Sequence, residues 1–138
     1  MEQSKEKRKV RVLIVDDEPH IRSLIRMIVS SQGAEVVAEA GDGILALELY
    51  KQFSPDMVLL DINMPKLDGI DVLKQIMAIN PKTLVVMLSA LNTLDVVKEC
   101  IDNGARNYIL KSVPAEELHK IISETWGDYL ADIRAAAS

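Results

Sequence analysis

Aspartates at positions 16, 17 and 61, a serine at 89 and a lysine at 111 each stand at the end of a short apolar run. Asp16-Asp17 closes Val10-Arg11-Val12-Leu13-Ile14-Val15, and Asp61 closes Met57-Val58-Leu59-Leu60. Ser89 closes Thr83-Leu84-Val85-Val86-Met87-Leu88, and Lys111 closes Tyr108-Ile109-Leu110. If these ends converge, three carboxylates share one place, and they cannot all ionise there without a cation. Magnesium answers that need: it takes hard oxygen ligands, keeps several waters and is held by one or two carboxylates. Asp61 could then attack a phosphoryl group while Lys111 and Ser89 steady the phosphoryl oxygens, giving an acyl phosphate.

Those side chains work together only if the runs before them are strands of one parallel sheet. Each run is too short for a helix, and the one before Asp61 is bounded by Pro55-Asp56 and Pro65. Strands are expected over 10–15, 35–40, 56–60, 83–88 and 108–110, with Asp61 as the first polar group beyond the third. Helical spacing fills the gaps. Pro19 opens a helix whose face is Ile21, Leu24, Ile25 and Ile28, stopped by Gly33. Ala46, Leu47 and Tyr50 mark a second, and Ile70, Leu73, Ile76 and Met77 a third that opens at Asp68-Gly69. Val96, Val97, Cys100 and Ile101 form a fourth face ending at Asn103-Gly104. A last helix from Pro114 to Trp126 turns Leu118, Ile121, Ile122 and Thr125 inward. Strand and helix alternate throughout, which predicts right-handed crossovers and an α/β three-layer sandwich. For such doubly wound folds the flavodoxin-like order 2-1-3-4-5 is common, with its binding site between the first and third strands.

Composition narrows the function. A 138-residue chain that is 49% hydrophobic can bury a core of its own. A net charge of −5 argues against a dedicated nucleic-acid binder, even though Lys5, Lys7, Arg8, Lys9 and Arg11 cluster at the start. Glu2 and Glu6 dilute that cluster, so residues 1–8 are expected to be a solvated tail. The single Cys100 excludes an internal disulfide or a cysteine zinc cluster and suits a small core residue. No N-terminal apolar run resembles a signal peptide or a membrane span, which makes the cytoplasm the expected location. His20 and His119 lack metal-ligand spacing and read as surface side chains; Gly41-Asp42-Gly43 reads as a turn. The main domain is placed at 9–126, and 127–138 either extends the last helix or begins a linker.

Asp16-Asp17, Asp61-Ile62-Asn63-Met64-Pro65, Ser89-Ala90 and Tyr108-Ile109-Leu110-Lys111 together resemble the receiver domain of two-component response regulators, the CheY-like family. The resemblance implies that Asp61 accepts a phosphoryl group from a sensor histidine kinase or a histidine phosphotransfer protein. It implies Mg²⁺ held by Asp17, Asp61 and the Asn63 backbone carbonyl, with Asp16 assisting through water. Ser89 and Tyr108 resemble the family's switch pair, whose rearrangement alters the face of the fourth helix, fifth strand and fifth helix. A downstream effector or phosphatase would read that face, and a phosphorylation-dependent dimer is a further expectation. Such a receiver works stand-alone or is excised from a larger regulator. Two departures bear on the chemistry. The family lysine is usually followed by proline, often through a cis bond, whereas Lys111 precedes Ser112 and proline comes only at Pro114. Leu91 places an apolar side chain two residues beyond Ser89, where water would approach the phosphoryl group.

Taken singly, these residues have plainer roles. Asp16-Asp17 could cap a helix, Asp61 could begin an Asx turn, Ser89 could cap its own helix, Lys111 could be a solvated loop charge and Tyr108 a packing aromatic. Their recurrence at successive strand ends favours function. Two rivals remain at this level. A magnesium phosphohydrolase of the haloacid dehalogenase type would place a second Asp two residues beyond the nucleophile, where this chain has Asn63. A pseudo-receiver acting only as an interaction module would have lost an acidic residue or the lysine, and none is lost.

Overall fold

The computed structural model describes residues 9–91 and 93–137. The 1–8 tail lies outside the described residues. Ten elements alternate along the chain: β1 (Arg11–Val15), α1 (Pro19–Ser31), β2 (Glu35–Ala40), α2 (Gly43–Phe53), β3 (Met57–Asp61), α3 (Gly69–Ile79), β4 (Leu84–Ser89), α4 (Leu94–Asp102), β5 (Asn107–Leu110) and α5 (Ala115–Ala137). The strands pair in parallel in the order β2-β1-β3-β4-β5, the flavodoxin-like (βα)5 arrangement.

Why the central runs are apolar throughout is plain from their two faces. Side chains alternate across a strand, so a strand covered on both sides needs apolar residues at every position. Leu13, Val15, Val58, Leu60, Val85 and Met87 face α2, α3 and α4, meeting Ala46, Leu47, Val72, Leu73, Ile76 and Cys100. Val12, Ile14, Met57, Leu59, Leu84, Val86 and Leu88 face α1 and α5, meeting Ile25, Ile28, Val29, Leu118 and Ile122. Burying a Leu, Ile or Val of this kind stabilises the fold by about 1.5–3 kcal/mol each before chain entropy is subtracted.

Two details differ from the sequence expectation. Asp61 and Ser89 are the last residues inside β3 and β4 rather than the first beyond them, because Asp61 still pairs in register with Leu88 and Ser89 with Leu110. Their side chains therefore sit at the sheet edge with strand rigidity behind them. Ile101, expected inward, is 45% exposed. Cys100 occupies the centre of the α4 seam, and one further residue turns about 100° round the helix and out of it.

Beyond Trp126, α5 continues without a break to Ala137. Trp126 and Tyr129 stack at 5.5 Å between centroids and cover the core under α1 and α5. The Tyr129 hydroxyl donates to the Lys82 carbonyl, and Asp132 pairs with Arg106. The helix thereby reaches the end of the sheet opposite the strand-end carboxylates.

Candidate functional site at the carboxyl edge of the sheet

The loop after Asp61 is shaped by two glycines on neighbouring helices. Gly69 opens α3 and donates its N–H to the Ile62 carbonyl at 2.7 Å; a Cβ there would stand 2.0 Å from the Asp61 carbonyl oxygen. Gly43 opens α2, where a Cβ would stand 2.1 Å from the Leu67 carbonyl oxygen. Only glycine permits such approach of backbone to backbone. Aspartates fasten both helices at their first turn: Asp42 accepts from the Leu45 N–H at 2.8 Å and Asp68 from the Asp71 N–H at 3.0 Å.

Convergence follows from the topology. Parallel β1 and β3 are adjacent, so Asp16 and Asp61 emerge side by side, and the chain after β5 returns Lys111 to the same edge. Lys111 is half-buried, and its Nζ lies 2.9 Å from Asp16 Oδ2, 2.8 Å from Glu18 Oε1 and 3.2 Å from Asp61 Oδ2. The described chain has no cis peptide bond, so Lys111-Ser112 is trans and the ammonium still reaches the carboxylates. The Lys111 N–H also donates to the Ser89 carbonyl at 2.9 Å, tying the start of the loop to β4.

An open pocket above this edge is lined by Asp17, Glu18, Asp61, Asn63, Ala90 and Lys111. Asp16 lies beneath it, fully buried. Its Oδ1 accepts from the Glu18 N–H at 2.8 Å, whereas its Oδ2 faces Lys111 off the hydrogen-bonding direction and has no hydrogen-bond partner. Burial foremost, and then the Asp16 charge, push the Asp61 carboxyl up to about 6 against the pull of Lys111. Lys111 responds oppositely: burial works against its charge, but the surrounding Asp16, Glu18 and Asp61 carboxylates prevail and raise its pKa. Glu18 is held below the usual carboxylate range by its hydrogen bond to Lys111.

Does this donor set fit a magnesium ion? Carboxylate oxygens of Asp16, Asp17 and Glu18 lie within 4.8 Å of one another, every candidate donor is a hard oxygen, and Asp16 Oδ2 is a buried acceptor without a donor. These properties suit a small hydrated divalent cation. Among the candidates, Asp16, Asp17, Asp61, Asn63 and Lys111 are brought together.

The Ser89 and Tyr108 side chains stand to one side. Ser89 is fully buried and its Oγ accepts from the Leu91 N–H at 3.0 Å. Tyr108 on the edge strand β5 donates its hydroxyl to the Leu91 carbonyl at 2.7 Å. Glu18 is the residue that the sequence reading passed over. Adjacency to Asp16-Asp17 was its only signal, since its partner Lys111 is 93 residues away in the chain.

With this geometry in place, the comparisons with known proteins are decisive. Residues 12–123 match the response regulator receiver domain family. The chain belongs to that family. It is 42% identical over 115 residues to the chemotaxis protein CheY of Bacillus subtilis, covering 83% of this chain and 96% of that one. It is 41% identical over 115 residues to CheY of Thermotoga maritima, covering 80% and 96%. Among solved structures, the receiver resembles a chain of the CheX-CheY-BeF3-Mg²⁺ complex from Borrelia burgdorferi, with a TM-score of 0.81 and 34% identity over 85% of this chain and 89% of that one. Receivers are signalling switches rather than metabolic enzymes, and among the described residues of this one no helix is long and apolar enough to cross a membrane.

Proposed function

We propose that this receiver takes a phosphoryl group onto Asp61 from the phosphohistidine of a sensor kinase or a histidine phosphotransfer protein. The observation that carries the reading is the Asp61 carboxylate itself: buried at the end of β3, yet open to the pocket and 3.2 Å from the Lys111 ammonium. Phosphorus bonds to an Asp61 oxygen as its bond to the donor's imidazole nitrogen breaks, and the electron pair stays on that nitrogen. Lys111 follows the charge outward onto the phosphoryl oxygens. Asp17, Asp61 and the Asn63 carbonyl would hold Mg²⁺, with Asp16 Oδ2 accepting from a water on the ion. When bound, the ion neutralises the phosphoryl oxygens.

Ser89 and Tyr108 are the proposed switch. Ser89 turns its hydroxyl to the phosphoryl group, and Tyr108 repositions with the loop between β4 and α4. The consequence is a changed face on α4, β5 and α5, where Leu94 and Ile101 stand exposed, 79% and 45%. Such apolar exposure suits a protein partner: an effector, a phosphatase or a second phosphorylated copy of the chain. The same reading places the receiver in the cytoplasm, where its kinase acts, and gives it no direct contact with nucleic acid.

Intact mass after incubation with Mg²⁺ and acetyl phosphate tests the proposal, with Asp61→Asn alongside. One added phosphoryl group is expected, absent in the variant and when Mg²⁺ is chelated. Wild type that gains no mass and turns over no donor would overturn it in favour of an interaction module. Sustained donor hydrolysis without adduct would overturn it in favour of a phosphohydrolase.

A further inference from the structure

Glu18 stands in the acidic cluster but is neither a proposed Mg²⁺ ligand nor the phosphoacceptor, yet it makes the shortest of the three carboxylate contacts to Lys111. Three carboxylates surround Lys111 Nζ: Glu18 Oε1 at 2.8 Å, Asp16 Oδ2 at 2.9 Å and Asp61 Oδ2 at 3.2 Å. The ammonium donates a hydrogen bond to Glu18, whereas Asp16 Oδ2 receives none. Glu18 thus helps set the direction of the ammonium.

The three contacts differ in what it costs to give them up. The Asp16 and Asp61 side chains are 1% and 4% exposed, so either would be left as a buried charge if Lys111 moved away. Glu18 is 46% exposed and water can solvate it at once. Its other oxygen already lies 3.9 Å from the exposed His20 imidazole. Phosphoryl oxygens arriving on Asp61 draw the ammonium toward themselves, and one nitrogen that moves cannot keep all three carboxylates at 2.8–3.2 Å. Glu18 is the acceptor that can yield.

We infer that Glu18 is a positioning residue that holds Lys111 in the unphosphorylated protein and competes with the phosphoryl group for it, so that occupancy of Asp61 releases Glu18 to solvent. This rests on the phosphoacceptor reading above. Glu18 sets the level of the switch: it lowers the affinity of the site for a phosphoryl group without touching that group. Its side chain makes no cap hydrogen bond to α1, and the Asp16 carboxylate is held by the Glu18 backbone N–H. Replacing the side chain leaves both features in place.

Beryllofluoride with Mg²⁺ serves as the phosphoryl mimic, titrated calorimetrically into wild type, Glu18→Gln and Glu18→Ala. Both variants are expected to bind about two- to five-fold more tightly, the range that loss of one half-exposed ion pair allows. The second readout is hydrogen exchange at the Lys111 ammonium in unliganded protein, followed by nitrogen NMR, which is expected to quicken in Glu18→Ala. Unchanged or weaker beryllofluoride binding in both variants overturns the role of Glu18. Tighter binding with unaltered ammonium exchange also overturns it, since Glu18 would then act by repelling the anion directly. Failure of wild type to bind beryllofluoride at all overturns the phosphoacceptor reading, and this role with it.

Discussion

Ser89 and Tyr108 meet on the backbone of a single residue: the Leu91 N–H donates to Ser89 Oγ at 3.0 Å, and the Leu91 carbonyl accepts from the Tyr108 hydroxyl at 2.7 Å. Ser89 Oγ is the acceptor here and is buried without lining the pocket, so a side-chain rotation that brought it to a phosphoryl oxygen would carry Oγ away from the Leu91 amide. If phosphorylation recruits Ser89 as proposed, the Leu91 N–H is expected to lose this acceptor, and the Tyr108 hydroxyl bonded to the same residue to shift with it. Beryllofluoride with Mg²⁺ is expected to shift the Leu91 amide and the Tyr108 ring resonances together in wild type. In Ser89→Ala the Leu91 amide has no hydroxyl to lose, so its shift is expected to fall by half or more. Equal shifts in both proteins would disprove the coupling.

Asp61 makes the metal-free protein less stable than it could be. Its folded-state pKa of about 6 stands above the ordinary 3.8. Between those values the folded protein holds more protons than the unfolded chain, so the stability from this group falls as pH rises. At pH 4 the penalty is nearly gone; above pH 6 it is complete, on the order of 2 to 3 kcal/mol. Asp61→Asn is expected to raise the melting temperature in EDTA by several degrees at pH 7.5 and hardly at all at pH 4. A gain of equal size at both pH values would count against this account.

Gly69 is expected to be the least replaceable residue outside the site. A Cβ 2.0 Å from the Asp61 carbonyl oxygen forces β3 and α3 apart, since backbone rather than a flexible side chain receives the clash. Gly69→Ala is predicted to cost about 3 kcal/mol or more in chemical denaturation, within the range for overpacked or strained positions. Phosphorylation should slow as well, because the displaced atom belongs to the nucleophile's own residue. Wild-type stability in this variant would refute the close approach.

Leu91 adjoins Ala90, which lines the pocket, and is itself 39% exposed. An apolar side chain there is expected to obstruct an attacking water. Leu91→Glu, which can orient a water, is predicted to shorten the phosphoryl lifetime several-fold, read as the decay of radiolabelled protein after donor removal. No change in lifetime would sink the idea.

Much of this molecule was legible in the chain as written. Period-two burial needs on both faces of a central strand dictate runs such as Val12-Leu13-Ile14-Val15 and Met57-Val58-Leu59-Leu60, and helical spacing marks the segments between them. Since parallel strands place their carboxyl ends at one edge, spacing alone points Asp16, Asp17, Asp61, Ser89 and Lys111 to a common site, of which the Ser89 side chain stays buried beside the pocket. Tertiary structure decided what spacing cannot express. Whether Asp61 ends a strand or begins a loop depends on its pairing with Leu88. Ile101 is exposed because α4 docks through Cys100. Leu91 serves both Ser89 and Tyr108 through its backbone, which side-chain chemistry in a sequence does not reveal. The Glu18 contact was hidden for the same reason: a hydrogen bond between residues 93 apart exists only once the sheet has closed the distance.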